Sequence, residues 1–269
     1  MFAYLEILRP FNGLMSAFAV IMSAIIVGFF NPLQIAIACL AVFLISSGGM
    51  VINDYFDYQI DKVNKPKRAV TSGKISRKTA LIYFIILFLI GNVLALFLNF
   101  YMFTLAVFNS ILLLIYSWKI KKTILIGNFC VSWLAASSFL FGSLLQGKIT
   151  ALILILFLMA FSSSIGREIA KSIEDVKGDR KMKLKTLPII AGNNFAAWVA
   201  CIFMIFAIIF TFLPYVFNLL NITYLYIVLI GDFIAAFSCF IIFISPKRSQ
   251  EMIKIAMLIV LIAFLIGTF

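Results

Sequence analysis

Residues 33–61, LQIAIACLAVFLISSGGMVINDYFDYQID, join a long uncharged run to a cluster of acidic side chains. The run 33–52 contains no Asp, Glu, Lys or Arg. A helix needs about 20 such residues to cross a bilayer, and this run has that length. Three acids follow it, at positions 54, 57 and 61. The stretch therefore predicts a transmembrane helix that ends in a polar segment at one membrane surface.

The rest of the chain repeats this pattern of apolar runs and polar connections. Of its 269 residues, 64% are hydrophobic and 12% are charged, whereas a soluble domain is about 45–50% apolar and about 25% charged. The continuous runs also exclude an outer-membrane barrel, whose strands alternate between apolar and polar residues. We therefore predict an all-α, polytopic membrane protein that forms a single domain over 1–269. Its nine transmembrane helices are expected over the runs 11–30, 33–52, 79–97, 100–117, 124–145, 149–166, 193–213, 222–244 and 251–268.

Lysine and arginine are distributed unevenly between the connections. Seven lie in the long connection 53–78 and six in the long connection 171–192, whereas the connections on the opposite side hold Lys148 alone. Because basic residues accumulate in cytoplasmic loops, the N-terminus and both long connections are predicted to be cytoplasmic, in a multi-pass protein of the cell (plasma) membrane. The net charge of +12 favours contact with membrane lipid headgroups. Nucleic acid is not an expected partner, since the basic residues lie in loops between spans.

Seven of the ten acids are concentrated in two stretches on this predicted cytoplasmic side. The first is NDYFDYQID (53–61) and the second is REIAKSIEDVKGD (167–179). Both contain the spacing D-x-x-x-D. If the preceding helix continues through each stretch at about 100° per residue, its polar side chains form one stripe. Each of the two helices is therefore expected to end in an acidic stripe.

Acids gathered at membrane depth need a compensating charge. Two carboxylates about 5 Å apart repel each other by roughly 3 kcal/mol at an effective dielectric constant of about 20. Mg²⁺ relieves this repulsion because it prefers oxygen ligands and bridges carboxylates to phosphate oxygens. The two stripes and the surrounding Lys and Arg therefore predict a Mg²⁺–diphosphate site. The alternative interpretation is that the acids pair with nearby lysines in solvated loops.

Several motifs resemble those of the UbiA-type intramembrane prenyltransferases. They are NDxxDxxxD (53–61) with NKPKRAVTSGKIS (64–76), YSWKIKK with GN (116–128), and EDVKGD with KTLP (174–188). The likeness extends over the whole chain, and within the family it is closest to the archaeal digeranylgeranylglyceryl phosphate synthases. Ala69 departs from the pattern, in which Pro commonly follows the Arg.

The resemblance implies roles for individual residues. Asn53, Asp57 and Asp61 would hold one Mg²⁺ on an isoprenyl diphosphate, while Asp175 and Asp179 would hold a second. The four aspartates are the candidate catalytic residues. Because the chain has no His, the base for the acceptor proton is a carboxylate, the diphosphate or water. The remaining candidates would bind the diphosphate or the acceptor: Asn12, Asp54, Arg68, Lys74, Tyr116, Lys119, Lys121, Arg167 and Lys171.

The resemblance also implies an activity. Nine helices would surround a central, lipid-accessible cavity, with the catalytic loops 53–78 and 171–192 on the cytoplasmic side. The implied reaction is Mg²⁺-dependent transfer of a geranylgeranyl group from geranylgeranyl diphosphate to a geranylgeranylglyceryl phosphate acceptor in archaeal ether-lipid synthesis. Prenylation of an aromatic quinone precursor is the alternative within the family. An anion transporter is a rival from another class, although its polar groups would lie near the bilayer midplane. No obligate protein partner is expected.

One acid lies apart from both motifs. Asp232 falls in the middle of the run 222–244, where an ionisable residue is a functional candidate by default. Two interpretations are open: a buried hydrogen bond between helices, and a role in a substrate pocket.

Overall fold

A computed structural model describes residues 2–181 and 184–268, and every regular element in these ranges is helical. The helices are α1 (Phe2–Leu8), α2 (Pro10–Ile26), α3 (Pro32–Phe56), α4 (Tyr58–Asn64), α5 (Arg77–Leu98), α6 (Phe100–Trp118), α7 (Ile126–Ser143), α8 (Ala151–Glu174), α9 (Val176–Lys181), α10 (Leu187–Ala191), α11 (Asn193–Val216), α12 (Ile222–Ile241) and α13 (Pro246–Gly267). Short 3₁₀ turns lie at Ile120–Lys122 and Leu144–Gln146. The predicted all-α class is therefore confirmed.

Eight of the described helices are long and apolar enough to cross a membrane. They are α3, α5, α6, α7 with the turn that follows it, α8, α11, α12 and α13. The remaining predicted span corresponds to α2, which has 17 residues and is about 25 Å long at 1.5 Å per residue. It ends before Gly28, which adopts a left-handed conformation with φ 74°. The described part of the chain thus provides eight candidate spans and one shorter apolar helix, and the count of nine stays a prediction.

Helices α3 and α8 continue at least one turn beyond the apolar runs that predicted them. The predicted run ends at residue 52, whereas α3 continues to Phe56; the run ending at residue 166 is likewise extended by α8 to Glu174. Each of these helices therefore carries the beginning of an acid motif on its C-terminal turns.

Local side-chain chemistry accounts for where several helices begin. Side-chain oxygens accept hydrogen bonds of 2.9–3.3 Å from backbone N–H groups three residues further on, at Asn31 for α3, Ser76 for α5, Asn99 for α6 and Thr150 for α8. Such caps satisfy N–H groups that the first turn of a helix leaves unpaired.

The structure divides into two compact units. The first comprises the described residues up to Lys121, together with Ser138–Lys148. Within it, α3 packs against α2, α5 and α6. Gly48 and Gly49 permit these approaches, since a Cβ on Gly48 would lie 2.6 Å from the Phe88 ring and one on Gly49 would lie 2.7 Å from Leu113. Small residues commonly bring membrane helices this close.

The second unit comprises Lys122–Ser137 and the described residues from Ile149 onward. Here α8 packs against α11 and α13, and α12 packs against α11 and α13. Gly166 allows α8 to approach α11, because a Cβ at this position would lie 3.1 Å from the Ala200 carbonyl oxygen. The C-terminal end of α8, which carries the second acid motif, is thereby fixed by its packing against α11.

Candidate active site

The first acid motif lies where α3 ends and α4 begins. Asp57 separates the two helices, with φ −79° and ψ 1°. The backbone hydrogen bonds nevertheless continue, from Asp57 N to Asn53 O at 2.9 Å and from Asp61 N to Asp57 O at 2.8 Å. Asn53 and Asp54 therefore lie on the last turn of α3, and Asp61 lies on α4. The three aspartates are buried, with only 4–6% of their surface exposed.

The buried aspartates of the first motif each contact a basic side chain. Asp54 accepts hydrogen bonds from Arg9 and, at 3.1 Å, from Arg68, which also donates to Asp61.

Lys121 contacts the remaining two members of this motif. Its ammonium donates to the Asp57 carboxylate and, at 3.2 Å, to the Asn53 side-chain oxygen. With Arg9 and Arg68, three cations therefore face three carboxylates. The acids are paired, as the alternative interpretation expected. However, the carboxylates are buried and their partly exposed partners come from separate parts of the chain, so these are not pairs in solvated loops.

This network also affects a neighbouring lysine. Partial desolvation lowers the pKa of Lys65, and the Arg68 guanidinium lowers it further, whereas Asp61 opposes the shift. Desolvation is the main cause of this lowering, because it disfavours the charged form of an ammonium group.

Sequence reasoning missed Arg9. It adopts a left-handed conformation with φ 47° between α1 and α2, and its guanidinium also lies 3.4 Å from the Met50 sulfur. A usable signal was present, because Arg9 is the basic residue at the start of the first apolar run and a buried acid such as Asp54 needs a partner.

Three other candidates in the first unit, Asn12, Lys74 and Lys119, contact residues other than the acids of this motif. Lys74 is exposed and approaches Glu6 at 3.9 Å, and the exposed side chain of Asn12 lies 3.6 Å from the Met50 sulfur. The Lys119 ammonium lies 4.4 Å from the centre of the Trp118 ring. Tyr116 is half-buried on the last turn of α6. The structure thus brings Asn53, Asp54, Asp57, Asp61, Arg68 and Lys121 together, whereas the contacts described for Asn12, Lys74 and Lys119 are with other residues.

The second acid motif has the same local backbone as the first. Asp175 follows the last residue of α8, with φ −82° and ψ −1°. The Asp175 N–H bonds to Lys171 O at 2.9 Å, and the Asp179 N–H bonds to Asp175 O at 3.0 Å. In both motifs a long helix therefore ends one residue before the first Asp of D-x-x-x-D, and a short helix carries the second.

The side chains of the second motif are more exposed than those of the first. Asp175 and Lys171 are exposed, while Asp179 is half-buried. Glu174 accepts a hydrogen bond from Gln250 at the start of α13, a contact that sequence reasoning missed. Residues 182 and 183, in the predicted catalytic loop 171–192, lie outside the described residues.

Arg167 lies at the inner end of this second motif. Its Nη2 atom donates to Glu168 at 2.6 Å, and its Nε atom is buried without a hydrogen-bond partner among the described residues. A buried unsatisfied donor is costly, and its N–H is available to an anionic ligand.

The oxygen atoms around Lys121 fit a hard cation. Across residues 2–181 and 184–268, no three His, Cys, Asp or Glu side chains are grouped so that they could hold one metal ion. Asn53 and Asp57 nevertheless converge on one ammonium, and Mg²⁺ commonly takes only one or two carboxylates from the protein and completes its shell with phosphate and water. The donor set therefore fits Mg²⁺ that arrives with phosphate oxygens.

Asp232 lies in a separate buried cluster of the second unit. Thr211 on α11 is 2.7 Å from an Asp232 carboxylate oxygen on α12, and the Tyr224 hydroxyl donates to the Thr211 carbonyl at 2.7 Å. All three residues are buried. The structure agrees with the first interpretation of Asp232, a buried hydrogen bond between helices.

The sequence matches one protein family over nearly its whole length. The model of the UbiA prenyltransferase family matches residues 14–265, and the chain belongs to this family.

Within the family, the chain is similar to archaeal proteins that are all named digeranylgeranylglyceryl phosphate synthase. Digeranylgeranylglyceryl phosphate synthase of Methanosphaera stadtmanae is 38% identical over 269 residues, which cover 98% of each chain. The protein of the same name from Thermococcus kodakarensis is also 38% identical, over 99% of this chain and 98% of the relative.

The fold is similar to those of solved structures. One, described as giving insights into digeranylgeranylglyceryl phosphate synthase in membranes, has a TM-score of 0.88 and 35% identity, and the match covers 99% of this chain and 97% of the other. A UbiA homologue from Archaeoglobus fulgidus bound to GPP and Mg²⁺ has a TM-score of 0.74 and 19% identity over 99% of both chains. At that identity, the second likeness shows the fold alone.

Proposed function

We propose that this protein transfers a geranylgeranyl group from geranylgeranyl diphosphate to geranylgeranylglyceryl phosphate, in a Mg²⁺-dependent step of archaeal ether-lipid synthesis. Relatives named for this product match nearly the full length of the chain at 38% identity. The observation that carries the proposal is the partly buried network of the first motif, where oxygen atoms that can bind a metal adjoin cations that can bind a diphosphate.

The metal is proposed to bind at both acid motifs. Asn53, Asp57 and Asp61 would hold one Mg²⁺, and Asp175 and Asp179 a second. When bound, Mg²⁺ neutralises the charge that develops on the departing diphosphate. Arg68 and Lys121 also stabilise this charge. Their N–H groups, which contact carboxylates in the structure, would donate to the phosphate oxygens of the bound diphosphate instead. Lys74, Lys119 and Tyr116 lie close in sequence to these two residues and are proposed to bind the same diphosphate.

The chemical step exchanges one carbon–oxygen bond for another. The allylic C1–O bond of geranylgeranyl diphosphate breaks, and the electron pair leaves with the diphosphate. The acceptor hydroxyl oxygen forms the new bond to C1 and loses its proton to a carboxylate, with Asp57 and Asp61 as the candidates, or to the diphosphate. The binding groups must therefore hold the hydroxyl against C1, because positioning accounts for a large part of such rate enhancements.

The acceptor phosphate is proposed to bind at the second motif. Arg167 offers a buried Nε–H without a partner among the described residues, and the exposed Lys171 lies one helical turn further along α8. The isoprenoid chains remain in apolar surroundings, since each buried methylene contributes roughly 0.8 kcal/mol. We accordingly propose a single functional unit over 1–269, with nine spans around a lipid-accessible cavity. Asn12 would line this cavity, and the N-terminus and both catalytic loops would lie on the cytoplasmic side of the cell membrane.

A competition assay tests the proposal. Purified protein is incubated with Mg²⁺, geranylgeranyl diphosphate and equal concentrations of geranylgeranylglyceryl phosphate and a hydroxybenzoate, and the products are separated by mass. We expect prenylation of the glycerol phosphate ether. Prenylation of the aromatic ring instead would support the quinone alternative, and no diphosphate release with either acceptor would contradict a prenyltransferase.

A further inference from the structure

The Lys121 ammonium contacts two side-chain oxygens that the proposed function assigns to Mg²⁺. Its ammonium hydrogen-bonds to the Asp57 carboxylate and lies 3.2 Å from the Asn53 side-chain oxygen. The Asp57 side chain is 9% exposed and that of Lys121 is 35% exposed, so the pair is partly shielded from water. A cation held between these two oxygens competes directly with any other cation for them.

The charges around this position are balanced. Lys121, Arg9 and Arg68 face the three buried carboxylates of the first motif, so the cluster carries no net charge of its own. Entry of a divalent cation alone would leave two positive charges uncompensated in partly buried surroundings, and such charges are costly there. A diphosphate that enters with the metal supplies the missing negative charge.

We infer that Lys121 is an internal competitor for the metal, and that it gives up its position only when a diphosphate arrives to bind its ammonium. The inference rests on the proposed function and adds an order of events to it. In the unliganded protein, Lys121 keeps the affinity for Mg²⁺ alone low. In the loaded protein, Lys121 donates to phosphate oxygens, and Asn53 and Asp57 are released to hold the metal.

This exchange couples the two ligands. Since coupling between two binding equilibria is reciprocal, the diphosphate raises the affinity for the metal by the same factor as the metal raises the affinity for the diphosphate. Removal of the Lys121 ammonium should abolish part of this coupling, because the metal position is then open before the diphosphate binds. Removal of an exposed lysine that contacts none of these oxygens should not.

Equilibrium dialysis with Mn²⁺ as the probe tests the inference. Protein-bound Mn²⁺ is measured for the wild type, Lys121→Met, Lys121→Arg and the control Lys62→Met. Each protein is assayed alone and with saturating geranylgeranyl thiolodiphosphate, which resists ionisation. Lys62 is exposed on α4, next to Asp61 in sequence, so the control removes the same charge near the site without opening the metal position. Thermal unfolding midpoints establish that each variant is folded.

We expect the wild type and Lys62→Met to take up Mn²⁺ tightly only with the analogue. Lys121→Met should bind Mn²⁺ alone about tenfold more tightly than the wild type, which is within the usual range for coupled sites. Lys121→Arg should retain the competition.

Three results would overturn the inference: wild-type protein that binds Mn²⁺ equally well with and without the analogue, Lys121→Met that binds Mn²⁺ alone no better than the wild type, or Lys62→Met that gains as much affinity as Lys121→Met. Absence of Mn²⁺ uptake by every protein, even with the analogue, would instead contradict the metal site of the proposed function.

Discussion

The guanidinium of Arg9 hydrogen-bonds to the carboxylate of Asp54, although 45 residues separate the two in the chain. Asp54 is buried at the end of α3, and Arg9 lies between α1 and α2 in a left-handed conformation. Residues other than glycine rarely adopt this conformation, and it costs free energy. The ion pair therefore helps to hold the junction of α1 and α2 against α3, beside the acids of the first motif.

Substitution of Arg9 should lower the stability of the protein. Arg9→Met leaves Asp54 with one guanidinium in place of two. We expect the free energy of unfolding to fall by about 1–2 kcal/mol. This is less than for a fully buried pair, because Arg68 remains. The thermal unfolding midpoint in detergent should fall, and it should stay unchanged for Lys67→Met, which removes an exposed charge. The double variant Arg9→Met/Asp54→Asn should be less destabilised than the sum of its single variants. Strict additivity would contradict a direct interaction.

Gly142 should tolerate no side chain. A Cβ at this position would lie 2.4 Å from the Val20 carbonyl oxygen, which belongs to the α2 backbone and cannot rotate away. We expect Gly142→Ala to destabilise the protein by about 1–3 kcal/mol, as overpacking does elsewhere. Gly178→Ala is the matched control, because a Cβ there meets nothing within 4 Å. The two unfolding midpoints give the comparison, and equal midpoints would contradict the close approach of α7 to α2.

Asp232 should act as a hydrogen-bonding group between α11 and α12. Asp232→Asn keeps an oxygen that can accept from Thr211, so turnover and unfolding midpoint should remain near the wild-type values. Asp232→Leu removes the acceptor, and we expect a loss of about 1–2 kcal/mol in stability, as for other buried hydrogen bonds. Thr211→Val should have a similar effect. If Asp232→Asn abolished turnover at an unchanged midpoint, the carboxylate would instead have a role in the reaction.

Arg167 should determine the affinity for the acceptor. Arg167→Lys keeps the positive charge but loses the planar set of donors that matches a phosphate group. We expect KM for geranylgeranylglyceryl phosphate to rise about tenfold, while KM for geranylgeranyl diphosphate stays unchanged. Arg248→Lys, at an exposed position at the start of α13, is the control. A rise in KM for the diphosphate substrate alone would place Arg167 at the other substrate.

The fold could be predicted from the sequence to the extent that local patterns decide it. Uncharged runs gave the apolar helices, and the paired D-x-x-x-D spacings located both acid motifs. The apolar run 11–30 predicts a longer helix than α2, because Phe29 and Phe30 extend the run beyond the left-handed turn at Gly28. Hydrophobicity alone does not reveal where a backbone turns.

The partners of the acids were harder to predict than the acids themselves. Arg68 and Lys121 lie within motifs and were identified, whereas Arg9 is 45 residues from Asp54 and Gln250 is 76 residues from Glu174. Such pairs depend on how helices pack. A buried acid indicates that a cation must be present, as at Arg9, but the sequence does not indicate which distant residue supplies it.

Calorimetric titration with geranylgeranyl thiolodiphosphate tests whether the two acid motifs bind a diphosphate through Mg²⁺. The titration is carried out with Mg²⁺ and after EDTA treatment, for the wild type, Asp57→Asn and Asp175→Asn. We expect tight binding by the wild type with Mg²⁺, and binding weaker by about 100-fold, or roughly 2.7 kcal/mol, after EDTA and in both variants. An affinity for the thiolodiphosphate that is the same with and without Mg²⁺, or the same in all three proteins, would contradict binding through the metal.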